Sequence, residues 1–267
     1  MTVRRLRLIG IGPGGPDDLT VTAVHALNSV DVFLVADKEA EAGRAGTGDL
    51  VAVRQEICRR HSTRDYRVIA VPDPPRDRTP EAYGAEVRDW HAARAEAYEI
   101  ALAEQVLDGE TVGLLVWGDP SLYDSTIRVV ERIRSRGLLD IDYDVIPGVS
   151  SVQVLAARHR LVLNVIGGPI TITTGRRLAE EVAGGAENIV VMLDGQLACS
   201  ELPGAWDIWW GAQLGTTDEE LVAGRLSDVL PEIEKARARA KVARGWVMDT
   251  YLLRRAAGHR SPHRSRA

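Results

Sequence analysis

The chain opens on a short apolar strand, Leu6-Arg7-Leu8-Ile9, that runs directly into a glycine turn, Gly10-Ile11-Gly12-Pro13-Gly14-Gly15. A helix is predicted to start near Asp17-Asp18-Leu19-Thr20 and to carry Ala23, Val24, Ala26 and Leu27. The next apolar run, Val30 to Ala36, reads as a second strand that ends at Asp37-Lys38. Strand, turn, helix and strand in that order are a βαβ unit, and a βαβ unit commits the chain to a parallel sheet and an α/β fold.

The same alternation continues. Gly43, Gly46 and Gly48 mark a loop, Leu50 to His61 a helix, and Tyr66 to Val71 a third strand. Four prolines between Pro72 and Pro80 forbid helix there. A long helix is expected from Glu81 to Leu107, stopped by Gly109, before the near-continuous apolar strand Val112 to Trp117. Beyond Gly118 the predicted elements are a helix over Ile127–Ile133, a strand over Tyr143–Ile146, a helix after Ser151, and strands at Thr171–Thr174, Ile189–Leu193 and Ala205–Trp210. Glu219–Leu230 and Pro231–Ala240 read as two helices and Gly245–Leu253 as a last strand. A domain boundary is expected near residues 117–124. It separates an N-terminal α/β domain with a mostly parallel sheet (1–120) from a C-terminal α/β domain with a mixed sheet (121–255). The basic tail from 256 to 267 is expected to be disordered.

Composition narrows the function. In 267 residues, 33 Lys and Arg face 38 Asp and Glu, for a net charge of −5, which argues against general nucleic-acid binding. A local arginine cluster can still hold a small anion. No apolar run reaches the length of a membrane span, and the early arginines and glycines do not read as a signal peptide. Cys58 and Cys199 form no CxxC pair, so neither a disulfide scaffold nor a cysteine zinc site is expected, and the cytoplasm is the default compartment. Six histidines show no ligand spacing, so no metal site is expected.

Gly10, Gly12 and Gly15 satisfy G-x-G-x-x-G after a strand, and Asp37 closes the next strand, which keeps an NAD-dependent oxidoreductase open. The chemistry opposes it. A dinucleotide pyrophosphate sits on free amides where a helix begins straight after the third glycine. Here Pro16 removes an amide, while Asp17 and Asp18 put carboxylates where phosphates would lie. A rigid Gly-Pro-Gly turn instead offers bare backbone to a flat or thioether-bearing ligand, or is simply a tight turn.

Two further turns follow strands: Gly118-Asp119-Pro120-Ser121-Leu122-Tyr123, and Pro147-Gly148-Val149-Ser150-Ser151. Ligands in open parallel sheets bind at such carboxyl ends. Asp119 can accept a ligand hydroxyl, or can close an Asx turn or cap a helix. Ser150 or Ser151 can cap the helix that follows. No G-x-S-x-G elbow is present, so serine hydrolysis is not expected. Arg158-His159-Arg160 and Arg176-Arg177 are basic clusters that can pair with carboxylates or serve helix ends. Alternation puts Trp206 and Trp210 on one face of a strand and Trp209 on the other. Asp194 can end a strand in the crevice. A non-enzymatic binding module is hard to reconcile with three glycine turns at strand ends.

In this order and spacing, Gly10-Ile11-Gly12-Pro13-Gly14 with Leu19-Thr20, Gly118 to Tyr123, and Pro147 to Ser151 resemble the tetrapyrrole (corrin/porphyrin) methyltransferases. The resemblance covers roughly residues 6–253. It implies two α/β domains with an active-site trough between them, a homodimer, and S-adenosylmethionine as cofactor, leaving as S-adenosylhomocysteine. Within the family, residues 117–126 and 158–178 imply a member that methylates carbon 1 of precorrin-5 and releases acetate in the oxygen-dependent cobalamin route. Other members, including ones that act on RNA or make diphthamide, are the alternative. By position, the resemblance implies cofactor contacts from Pro13, Trp117, Gly118, Asp119, Leu122, Ser150, Ser151, Met192, Leu193 and Ala212. Tyr123 and Asp124 are expected to orient water or substrate, and Arg158, Arg176 and Arg177 to bind substrate carboxylates. One departure stands out: Gly15 occupies the place after Gly-Pro-Gly where the family commonly has an acid.

Overall fold

The computed structural model describes residues 3–37, 47–74 and 83–256, and the chain divides into two compact units after Ser150. Among the described residues no helix is long and apolar enough to cross a membrane.

The first unit alternates strand and helix: β1 (Arg4–Gly10), α1 (Val21–Leu27), β2 (Val32–Asp37), α2 (Thr47–His61), β3 (Arg67–Pro72), α3 (Tyr83–Glu104), β4 (Thr111–Val116), α4 (Thr126–Arg136) and β5 (Ile141–Ile146). The sheet order is β3-β2-β4-β1-β5 and every neighbouring pair is parallel. Side-chain alternation gives this sheet two buried faces. Leu6 and Leu8 pack with Leu34, Leu114 and the Tyr98, Leu102, Val130 and Ile133 side chains of α3 and α4. Ile9 and Ile11 pack on the opposite face with Phe33, Leu27 of α1 and Ile57 of α2.

Helix α1 starts at Val21, a little later than expected, because Thr20 is its cap: the Thr20 hydroxyl accepts the Ala23 amide at 3.0 Å. Pro16, Asp17 and Asp18 stay in the turn. The expected boundary near 117–124 also moves. Residues Ile141–Ile146 pair in parallel with β1, on the side away from β4, so the first unit continues to Ser150. A break at residue 120 would strip the sheet of an edge strand. The tail from 257, the loop glycines at 43 and 46, and most of the proline-rich stretch lie outside the described residues.

The second unit contains α5 (Ser151–His159), β6 (Thr171–Thr174), α6 (Leu178–Ala183), β7 (Asn188–Met192), β8 (Trp206–Ala212), β9 (Glu220–Arg225), α7 (Leu226–Arg244) and β10 (Asp249–Arg255). The sheet order is β6-β7-β10-β8-β9, with β6 and β7 parallel and the other pairs antiparallel. Trp206, Ile208 and Trp210 enter one core cluster with Val191, Tyr251, Leu253 and the Ile233 and Ala236 side chains of α7. Trp209 points to the other face, where the Arg254 guanidinium lies 5.3 Å from its ring centroid.

Here the sequence misleads. Residues Glu220–Arg225, expected to be helical, form β9 instead. Val222 is buried, and the strand lies antiparallel to Asp207–Ala212, so tertiary pairing overrides a stretch with no strong alternation. The two expected helices are one, α7, which tolerates Pro231 near its start.

Candidate active site

Three glycine turns follow β1, β4 and β5, and the sheet order β4-β1-β5 makes them neighbours at its carboxyl edge. The Gly118 amide donates to the Gly12 carbonyl at 2.9 Å, the Gly12 amide returns a bond of 3.4 Å to the Gly118 carbonyl, and both glycines have left-handed φ, 78° and 69°. The third turn docks on these two. A Cβ on Gly148 would stand 2.1 Å from the Gly118 carbonyl oxygen and 2.8 Å from the Gly10 Cα. Bare backbone is therefore required for the turns to meet. The Thr20 hydroxyl adds a bond to the Pro147 carbonyl at 3.3 Å.

Asp119 is the polar centre of this cradle. Its Oδ1 accepts the Ser121 amide at 2.8 Å and the Ser121 hydroxyl, while Oδ2 accepts the Gly148 amide at 2.9 Å. Burial alone would raise its pKa, but these bonds together hold it below the usual carboxylate value. Asp119 therefore closes an Asx turn and also ties two of the turns together, leaving Oδ2 one lone pair for a ligand hydroxyl. Pro13 and Ser150 are buried, and Trp117 and Leu122 half-buried. Tyr123 is exposed with a left-handed φ of 54°, a costly conformation that tends to mark functional positions. Asp124 Oδ1 accepts the Thr126 amide at 2.6 Å, a helix-capping bond that the expected water-orienting role did not include.

The segment between the first turn and α1 settles the dinucleotide question. In a pyrophosphate site the helix would begin straight after Gly15. Here α1 begins at Val21, the Asp17 carboxylate pairs with Arg60 at 2.8 Å, and the Pro16 carbonyl faces His61 Nε2 at 2.7 Å. No bare helix N-terminus follows the third glycine.

In the second unit the expected residues gather at one end of the sheet. Ser151 Oγ lies 2.9 Å from Thr250 Oγ1. In the register, Thr250 stands opposite Met192 and Asp249 opposite Ala212. Beyond the two flanking strands, Leu193 and Gln213 both adopt left-handed φ, 53° and 52°; Leu193 is 61% exposed and Gln213 is buried. Beneath these corners lies a polar network that only Asp194 had hinted at. Tyr251 donates to Asp194 Oδ2 at 2.5 Å, and Asp194 also accepts the Gln196 and Ala198 amides at 3.1 and 2.7 Å. Arg237 pairs with Asp249 at 2.5 Å and donates to the Asp194 carbonyl at 3.1 Å, and Trp210 Nε1 donates to Asp249 at 2.9 Å. Burial pushes Asp249 up to about 6 in spite of the guanidinium.

The arginines expected to hold substrate are partly engaged. Arg158 pairs with Glu219 at 2.7 Å, and Arg177 with Glu180 at 3.2 Å and Glu181 at 3.6 Å; Arg176 is exposed. His159 faces the Trp210 carbonyl at 3.0 Å, a structural role in place of anion recognition. Sequence reasoning missed Arg54. It reaches from α2 to the Leu115 carbonyl of β4 at 3.4 Å, and burial lowers its pKa, while the nearby Tyr98 and Asp124 raise it. Nothing in the local pattern around Arg54 marks it, because only the fold brings it to β4.

A parallel sheet with a backbone cradle at its carboxyl edge, followed by a mixed-sheet unit with strained strand ends, is the architecture of a methyltransferase family. Residues 5–230 match the tetrapyrrole (corrin/porphyrin) methylases, and the chain belongs to that family. It is 45% identical to a precorrin-6A synthase [deacetylating] of Sinorhizobium sp over 96% of this chain and 97% of the relative. A solved cobalamin synthesis related protein (CobF) from Corynebacterium diphtheriae aligns with a TM-score of 0.79 at 38% identity, covering 94% of this chain and 98% of that one. A cobalt precorrin-4 methyltransferase structure, at 20% identity and a TM-score of 0.60 over 94% of each chain, shares the fold. The chain is thus a methyltransferase of tetrapyrrole metabolism that uses S-adenosylmethionine.

Proposed function

We propose that this protein converts precorrin-5 to precorrin-6A by methylating carbon 1 and releasing the acetyl unit as acetate, in oxygen-dependent cobalamin synthesis. The observation that carries the reading is the 45% identity, end to end, with a deacetylating precorrin-6A synthase. S-Adenosylmethionine supplies an electrophilic methyl group. The residues present suit such a ligand: Gly118, where a Cβ would meet only the Ser150 Cα at 3.9 Å, leaves backbone open beside the turns, and Asp119 Oδ2 offers an acceptor for a ribose hydroxyl.

The chain's own task is positioning. Pro13, Trp117, Gly118, Asp119, Leu122 and Ser150 hold the methionine and ribose portion, and Ser151, Met192, Leu193 and Ala212 take the adenosine. Holding donor and acceptor in line lowers the barrier without a strong protein base, since a reduced macrocycle has nucleophilic carbons. Tyr123 and the Asp124 Oδ2 orient the water that attacks the acetyl carbonyl; as that bond forms the ring–acetyl bond breaks, its electron pair stays with the conjugated ring, and the acetyl leaves as acetate with the water's proton released to solvent. Arg158, Arg176 and Arg177 pair with macrocycle carboxylates, and Arg158 and Arg177 exchange an internal acid for a substrate one. We further propose a homodimer in the cytoplasm, where two free, buried cysteines suit a reducing compartment.

Incubation of the purified protein with S-adenosylmethionine and precorrin-5 is expected to give one acetate per methyl transferred. Methyl transfer without acetate would move the protein to another member of the family. Light scattering at elution gives the oligomeric state.

A further inference from the structure

Gln213 sits directly beyond β8, next to Ala212, at the sheet end where Met192 and Leu193 also lie. Its backbone is fully used. The amide donates to the Met248 carbonyl at 2.9 Å, and the carbonyl accepts both the amide of Thr216 at 3.0 Å and its hydroxyl at 2.8 Å. Its side chain is different. The residue is only 2% exposed, yet the side-chain Nε2 has no acceptor among the described residues. The same residue holds a left-handed φ of 52°.

Each feature costs stability in the free protein: a buried donor has given up water without a partner, and a non-glycine residue has taken a disfavoured backbone well. A chain keeps such a group where an acceptor arrives from outside. The acceptor's chemistry follows from depth and charge. A neutral amide buried away from water suits a neutral acceptor, because a carboxylate brought to that depth without a cation would lose its hydration. The macrocycle's acids need guanidinium groups instead.

We propose that the Gln213 carboxamide is the specificity donor for the nucleobase, giving an N–H to a ring nitrogen of the adenine. This rests on the cofactor reading above, which places the adenosine against Met192, Leu193 and Ala212. Gln213 would then reject nucleosides that present a donor at the same ring position.

The test sets affinity against stability. Gln213→Met keeps the length of the side chain and removes the orphaned donor. The ligand-free variant is expected to melt about 2–4 °C higher than the wild type. Its affinity for S-adenosylhomocysteine by calorimetry is expected to fall roughly tenfold or more. A residue that only fills space would not move the two in opposite directions. The second measurement uses the wild type alone, with the 1-deaza, 3-deaza and 7-deaza analogues of S-adenosylhomocysteine. One of the three is expected to bind about tenfold or more weakly, and to bind the Met variant no worse than the parent thioether does. Equal binding of all four ligands by the wild type, or unchanged affinity in the variant, would overturn the assignment to Gln213 and leave the cofactor reading standing. Failure of the wild type to bind S-adenosylhomocysteine at all would overturn both.

Discussion

The Asp119 carboxylate accepts the Gly148 amide at 2.9 Å, so a side chain of the second turn fixes the backbone of the third. Asp119→Ala removes that acceptor and the one serving Ser121. The expected cost is about 1–3 kcal/mol of stability by denaturant unfolding, with a weaker affinity for S-adenosylhomocysteine by calorimetry. Unchanged affinity would remove Asp119 from the cofactor site.

Acid should reproduce part of that loss. The folded pKa of Asp119 lies below its ordinary value of 3.8, so its contribution is present above that pH and disappears as pH falls through the folded value. Asp119→Asn, compared with the wild type between pH 5 and the acid limit of folding, is expected to show a shallower decline in stability.

Gly148→Ala is expected to be far more damaging than its size suggests. The new methyl would meet the Gly118 carbonyl oxygen and the Gly10 backbone, none of which can rotate away. A loss of about 3 kcal/mol or more is expected, together with loss of thioether binding. Gly109→Ala, where a Cβ meets nothing within 4 Å although φ is +86°, serves as the control; there only backbone strain is added. Equal effects at the two positions would contradict the close packing of the turns.

Asp249 has the opposite sign. Burial raises it from 3.8 to about 6, so its contribution is complete below the ordinary value and is lost as pH rises through about 6. The stability of the wild type relative to Asp249→Asn is expected to fall as pH rises from 4 to 7, as thermal melts in a series of buffers would report. A flat difference would mean that Arg237 keeps the carboxylate ionised throughout.

The thiols give an independent probe of packing. Burial pushes Cys58 up to about 11 and Cys199 up to about 12, and both are free. Neither should react with a disulfide reagent at pH 8 in the native state, and both should react after unfolding. Fast modification of one native thiol would locate a loosely packed region.

What could be read from the residues alone was whatever is local. The strands at Leu6–Ile9 and Val112–Val116 show as apolar runs, and the turns at Gly12, Gly118 and Gly148 announce themselves by composition. The tryptophans of β8 fell on their expected faces for the same reason. What escaped depends on partners distant in the chain. Residues Glu220–Arg225 become a strand only because β8 lies alongside, and Arg54 joins the site only because α2 passes β4. Likewise, the Asp194–Tyr251 and Arg237–Asp249 contacts join segments with no shared motif. The division expected near residues 117–124 falls after Ser150 instead, because β5 pairs with β1 across most of the unit's length.

That last pairing carries a consequence for synthesis. Strand β1 is made before the other strands of its unit, yet one of its two sheet neighbours, β5, is the last of them. At translation speeds of about 5–20 residues per second, the opening glycine turn waits on the order of ten seconds for the turn that completes it. Until then, the apolar edge of β1 that β5 will cover stays open, and a chain stalled before Ile141 carries two-thirds of the cradle with no third wall. Such long-range parallel closure makes this unit an intrinsically slow folder, and its half-made sheet a natural client for chaperones.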